Sequence, residues 1–75
     1  MIQRIDDMRV SSSAIKEVLY LHSVQALFVV WRQGKVSMYL DVPVEVWNEI
    51  KDSESKGEYF WNNIRDQYEW KYVIE

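Results

Sequence analysis

The run Ala26-Leu27-Phe28-Val29-Val30-Trp31 carries no polar side chain, and Val36-Ser37-Met38-Tyr39-Leu40 follows it after a polar segment with Gly34. Two β-rich runs joined by a short glycine-bearing connection predict a β-hairpin. Placing Gly34 last in a three-residue loop, Arg32-Gln33-Gly34, lets its backbone take the left-handed bulge conformation. That register sets Val30 opposite Val36, Phe28 opposite Met38 and Leu27 opposite Tyr39. A two-residue loop would slip the pairing by one and exchange the faces of one strand. Successive strand side chains point to opposite sides, so a half-buried strand alternates. The stretch 26–31 does not alternate, which predicts cover on both of its faces.

The pattern extends to either side. Ile15 to Val24 reads as the preceding strand, with Val18, Tyr20 and His22 on one side and Glu17, Leu19 and Leu21 on the other; Ser23 to Gln25 then form the turn. Residues 1–10 read as an N-terminal lead-in: Ile2, Ile5 and Met8 share a helical spacing, but Asp6-Asp7 and the short length weaken it. Ser11-Ser12-Ser13 reads as a turn or cap. Pro43 suits a first helical position, and Val46, Trp47 and Ile50 give the following helix an apolar face. Ser55 with Glu58 is a capping-box signature for a second helix, whose inward face is expected to hold Phe60, Trp61, Ile64 and Tyr68. Residues 70–74 alternate aromatics in the manner of a short fourth strand.

The predicted fold is therefore α+β: a three-stranded antiparallel sheet, with room for a fourth strand, followed by two short helices packed on one face. Its expected core is Val18, Tyr20, Leu27, Val29, Trp31, Tyr39, Val46, Trp47, Ile50, Phe60, Ile64 and Tyr68. With 75 residues the chain makes one domain, 11–75, near the lower size limit for independent folding.

Composition narrows the function. There is no cysteine, so neither disulfides nor thiolate chemistry are available. No apolar run is as long as a membrane span, and the first ten residues lack a signal-peptide core, which makes the cytoplasm the expected location. The formal net charge of −3 disfavours generic phosphate binding. The arm from Asp41 to Glu58 is acidic, while Arg32 and Lys35 make the hairpin tip weakly basic. His22 is the single histidine, and no metal-ligand spacing accompanies it. Asp6-Asp7 and the helical acids read as solvated surface rather than an acid–base pair. Ser12 and Ser13 lack a nearby base, and the two glycines build no phosphate loop. No enzyme, cofactor or metal is expected.

Ser12-Ser13-Ala14-Ile15, Val18, Tyr20, Leu27-x-Val29-x-Trp31-x-x-Gly34, Tyr39-x-x-Val42-Pro43-x-x-Val46-Trp47, Ser55-x-Gly57-x-Tyr59-Phe60 and Ile64-Arg65-x-x-Tyr68 occur in that order. As a set they resemble the KTSC domain, a short bacterial and phage module named from the C-terminus of some lysyl-tRNA synthetases. The resemblance covers about Ser11 to Tyr72 and implies an RNA-binding role, as suggested for that family. Three departures remove groups from any shared ligand site: Ala14 stands at an asparagine position, Ser37 at the first tyrosine of Tyr-x-Tyr, and Trp61 at a second asparagine.

Other departures add apolar groups. Leu19, Leu21, Phe28, Val30, Val36 and Met38 are all expected on the sheet face opposite the helices. Six large apolar side chains exceed the exposed patch that monomers usually tolerate. The functional expectation is a non-catalytic binding module that uses this face for a protein contact, either self-association or modulation of a host protein. The alternative is nucleic-acid binding through Arg32, Lys35, Arg65, Tyr68, Trp70 and Lys71, with aromatics stacking bases beside cations.

Overall fold

In a computed structural model of the chain, describing residues 3–75, the hairpin is the centre of a larger meander. The elements are β1 (Ile5–Arg9), β2 (Ile15–Leu21), β3 (Ala26–Trp31), β4 (Val36–Tyr39), α1 (Val44–Asp52), α2 (Lys56–Asn63) and β5 (Trp70–Ile74). The strands form one antiparallel sheet in the order β1-β2-β3-β4-β5. The fold is α+β with five strands rather than three or four. The expected lead-in over 1–10 contributes β1, and the tail becomes β5. Of the proposed helical set, Ile2 lies outside the described residues, and Ile5 and Met8 stand in a strand.

The central register is the expected one, with Val30 opposite Val36, Phe28 opposite Met38 and Leu27 opposite Tyr39. Gly34 makes it possible. Its φ of +103° is open to glycine without strain. Its N–H donates to the Trp31 carbonyl, and the Trp31 N–H donates to Lys35, both at 2.9 Å. β2 stops at Leu21, short of Val24, because the chain turns at His22 to Gln25 with Gln25 left-handed at φ 53°.

Pleating sends Val18, Tyr20, Leu27, Val29 and Tyr39 to one face, where they bury with Trp47 and Ile50 of α1 and with Phe60 and Ile64. Trp31, Val46 and Tyr68 from the expected core are only partly buried against it. Val10, Ile15, Ala26 and Val42 are buried in addition. Trp61 departs from its expected inward place and is 42% exposed. It adjoins Phe60 on α2, so the turn that buries Phe60 and leads to Ile64 rotates it away from the core.

The helix starts follow local chemistry. Pro43 is the residue before α1 rather than its first helical position. Its ψ of 153° is extended, and its carbonyl accepts from the Val46 and Trp47 N–H groups at 3.0 and 3.4 Å. Ser55 caps α2, its hydroxyl accepting from the Glu58 N–H at 3.4 Å.

A buried hydrogen bond ties the sheet to the segment that leads into α1. The Tyr20 hydroxyl donates to the Val42 carbonyl, while the Val42 N–H donates to the Gln25 carbonyl at 2.9 Å. Tyr20 also stacks on Trp47 with ring centroids 5.6 Å apart. Both Tyr20 and Val42 are fully buried, so removing the hydroxyl strands a carbonyl out of reach of water. Tyr20→Phe is therefore expected to destabilise the fold by about 1–3 kcal/mol, read from urea denaturation.

Candidate functional site

The sheet has a second face, and no element of the described chain covers it. Pairing runs across it in rows: Leu19 beside Phe28 beside Met38, with Val30 beside Val36. Leu19, Leu21, Phe28, Val30, Val36 and Met38 are each half-buried, screened only by their neighbours in the sheet. The terminal segments lengthen the sheet at its edges instead of folding over this surface. All six residues predicted for a protein contact thus share one open apolar surface.

The predicted nucleic-acid residues do not gather in one place. Arg32 is tied down, its Nε donating to the Ser12 carbonyl at 2.6 Å and its Nη2 to the Val10 carbonyl at 3.2 Å. Tyr68 is half-buried against the core. Lys71 pairs with Met38 and so stands on the apolar face. Arg65 and Trp70 do meet, in a cleft of about 270 Å³ lined by Trp31, Gln33, Ser37, Tyr39, Trp61, Asp66 and Tyr72 as well.

The cleft is the core's aromatic cluster continued into solvent. Phe60 packs edge-on against Tyr39 at 5.3 Å and Trp31 at 5.7 Å. Trp70 stacks on Tyr39 at 6.0 Å, and Tyr72 meets Trp70 edge-on at 5.0 Å. The Trp31 indole N–H donates to the buried Ser37 hydroxyl at 2.8 Å, which satisfies both polar groups. Cations flank the exposed rings: the Arg65 guanidinium lies 4.8 Å over Trp61 and the Lys35 ammonium 5.2 Å over Tyr72. Burial pushes the Tyr39 hydroxyl up to about 12, with nearby Arg65 opposing the shift. Sequence reasoning missed Trp61 and Tyr72. The alternation of Trp70 and Tyr72 was the available signal for a shared face.

At the opposite end of the sheet, Asp6 collects donors. His22 Nε2 lies 2.9 Å from its Oδ2, Trp47 Nε1 donates to the same oxygen at 3.1 Å, and Arg4 Nη2 lies at 3.3 Å. An ionised carboxylate only accepts, so the proton of the His22 contact sits on Nε2. The hydrogen bond from His22 first, and that from Trp47 second, lower the Asp6 carboxyl from 3.8 to about 2. The arrangement ties the edge strand β1 to the turn after β2 and to α1. No group of three or more His, Cys, Asp or Glu side chains among the described residues is placed to hold a metal. No helix among them is long and apolar enough to cross a membrane.

Comparison with known proteins places this architecture. The KTSC domain family matches residues 11–68. The chain belongs to the KTSC domain family. It is 31% identical over 64 residues to a lysine–tRNA ligase of Trichormus variabilis, a match that covers 85% of this chain and 11% of that protein. Among solved structures it is similar to a KTSC domain protein from Yersinia pestis, with a TM-score of 0.82 and 27% identity over 93% of this chain and 99% of that one. Within the KTSC frame, the serine at position 37 lies on the cleft floor.

The Asp6 cluster carries a pH signature. A carboxyl held at about 2 when folded and near 3.8 when unfolded adds stability above 3.8 and loses it as pH falls through about 2. The thermal midpoint of the wild type should exceed that of Asp6→Asn at neutral pH, and the gap should close as pH is lowered through that window.

Proposed function

We propose that this KTSC domain is a non-catalytic binding module of the cytoplasm that makes a protein–protein contact through its second sheet face. One observation carries the reading: six large apolar side chains lie together on a face that neither helix nor terminal strand covers. The six side chains are already half-buried, so the driving force for a partner is the removal of their remaining apolar surface from water, at roughly 25 cal/mol per Å². Aromatic and methionine side chains at its centre, here Phe28 and Met38, suit a desolvated contact.

A second reading is favoured by the cleft. Exposed rings with cations at hand resemble the platforms on which single-stranded nucleic acid stacks its bases. Trp61, Trp70 and Tyr72 supply the rings, and Arg65 and Lys35 the charge. The net charge of −3 opposes this role at long range.

Two variants separate the readings. Phe28→Asp should leave the far-UV circular dichroism unchanged while abolishing association, measured as solution mass by light scattering over a range of concentrations. If the variant unfolds, or its mass matches a self-associating wild type, the face is not the contact. Under the second reading, single-stranded oligoadenylate should quench the tryptophan fluorescence at low salt, and Trp61→Ala with Arg65→Ala should remove the effect. Quenching that is absent, or unchanged in that double variant, would exclude the cleft.

A further inference from the structure

The apolar face also carries Asp7 and Arg9 on β1, Glu17 on β2 and Lys71 on β5, and the sheet register orders them. Following the cross-strand partners through one level of the sheet gives Asp7, Leu19, Phe28, Met38 and Lys71. An acid stands at one end, a base at the other, and three apolar residues lie between. Adjacent strands are about 4.8 Å apart, so Asp7 and Lys71 of one chain are separated by roughly 19 Å. They cannot satisfy one another, and both are exposed. The next level begins with Arg9 beside Glu17, neighbours of opposite charge, and continues through Val30 and Val36 to Ile74.

A row that reads acid, apolar, base is complementary to its own reverse. We infer that the occupant of this face is a second copy of the chain, packed face to face about a two-fold axis that runs parallel to the strands through Phe28. This inference rests on the protein-contact reading of the same face. Such an axis reverses the left-to-right order of the row and keeps its level. Phe28 then meets Phe28, Leu19 meets Met38, and each Asp7 meets the Lys71 of the other copy. The alternative face-to-face axis, perpendicular to the strands, lays Asp7 over Asp7 and Lys71 over Lys71, and like charges oppose it. Aligned sheets pack about 10 Å apart, a gap that extended lysine and aspartate side chains span together. Because a two-fold contact is isologous, every pair off the axis occurs twice.

Charge reversal on the full chain tests the axis. Sedimentation equilibrium should give a dimer for the wild type and a monomer for Phe28→Asp. Asp7→Lys and Lys71→Asp should each raise the dimer Kd on the order of tenfold, two rim pairs being turned to repulsion. The double variant should return to within about threefold of wild type, since the swapped charges again oppose one another. Circular dichroism should show all four variants folded. A wild type that stays monomeric overturns the second copy as occupant. A dimer lost in Phe28→Asp but indifferent to the single reversals, or not restored in the double variant, overturns the axis and leaves the face reading intact. A dimer that survives Phe28→Asp overturns both.

Discussion

Pleating imposes the constraint on which the molecule depends. A strand sends alternate side chains to opposite faces, and β3 is apolar at every position. It therefore asks for two covering layers. Helices of nine and eight residues supply one of them. The remaining segments, β1 and β5, carry Asp7, Arg9 and Lys71 on the open side, and charged residues suit the edge of a sheet rather than its cover. The two-layer architecture and the open apolar face are thus one outcome of the same division.

The aromatic side chains split into two groups with different duties. Tyr20 and Trp47 stack at the β1 end, and polar anchors surround them: Val42 for the hydroxyl, Asp6 for the indole. Both the Tyr20 hydroxyl and the Trp47 indole have acceptors, so the cluster stabilises and orients. At the β5 end Trp31, Tyr39 and Phe60 begin in the core, and Trp61, Trp70 and Tyr72 carry the packing outward into the cleft. Exposure separates the two groups: Trp61, Trp70 and Tyr72 keep ring surface open to solvent.

Much of this was legible in the residues. The three-residue hairpin loop follows from Gly34, and the Ser55 cap from its spacing to Glu58. The membership of the apolar face follows from the register those signals imply. β1 was not legible, because Ile-Asp-Asp-Met-Arg is poor in the β-branched and aromatic residues that mark strands. It pairs because β2 offers it an edge and because Asp6 finds His22 and Trp47. Trp61 was misplaced for a related reason: at helical spacing it stands beside Phe60, and only the path of the chain after α2 decides which of the two is enclosed.

The sequence by itself determined which side chains of the central hairpin share a face, the place of its turn, the Ser55 cap of α2 and the excess of apolar surface. These depend on periodicities and caps that act over a few residues. Tertiary structure alone decided that the terminal segments become edge strands, that Asp7 and Lys71 bracket the apolar row, and that Arg65 joins Trp61, Trp70 and Tyr72 in one cleft. Such placements depend on backbone hydrogen bonds and packing between residues far apart in the chain, where local pattern carries no information.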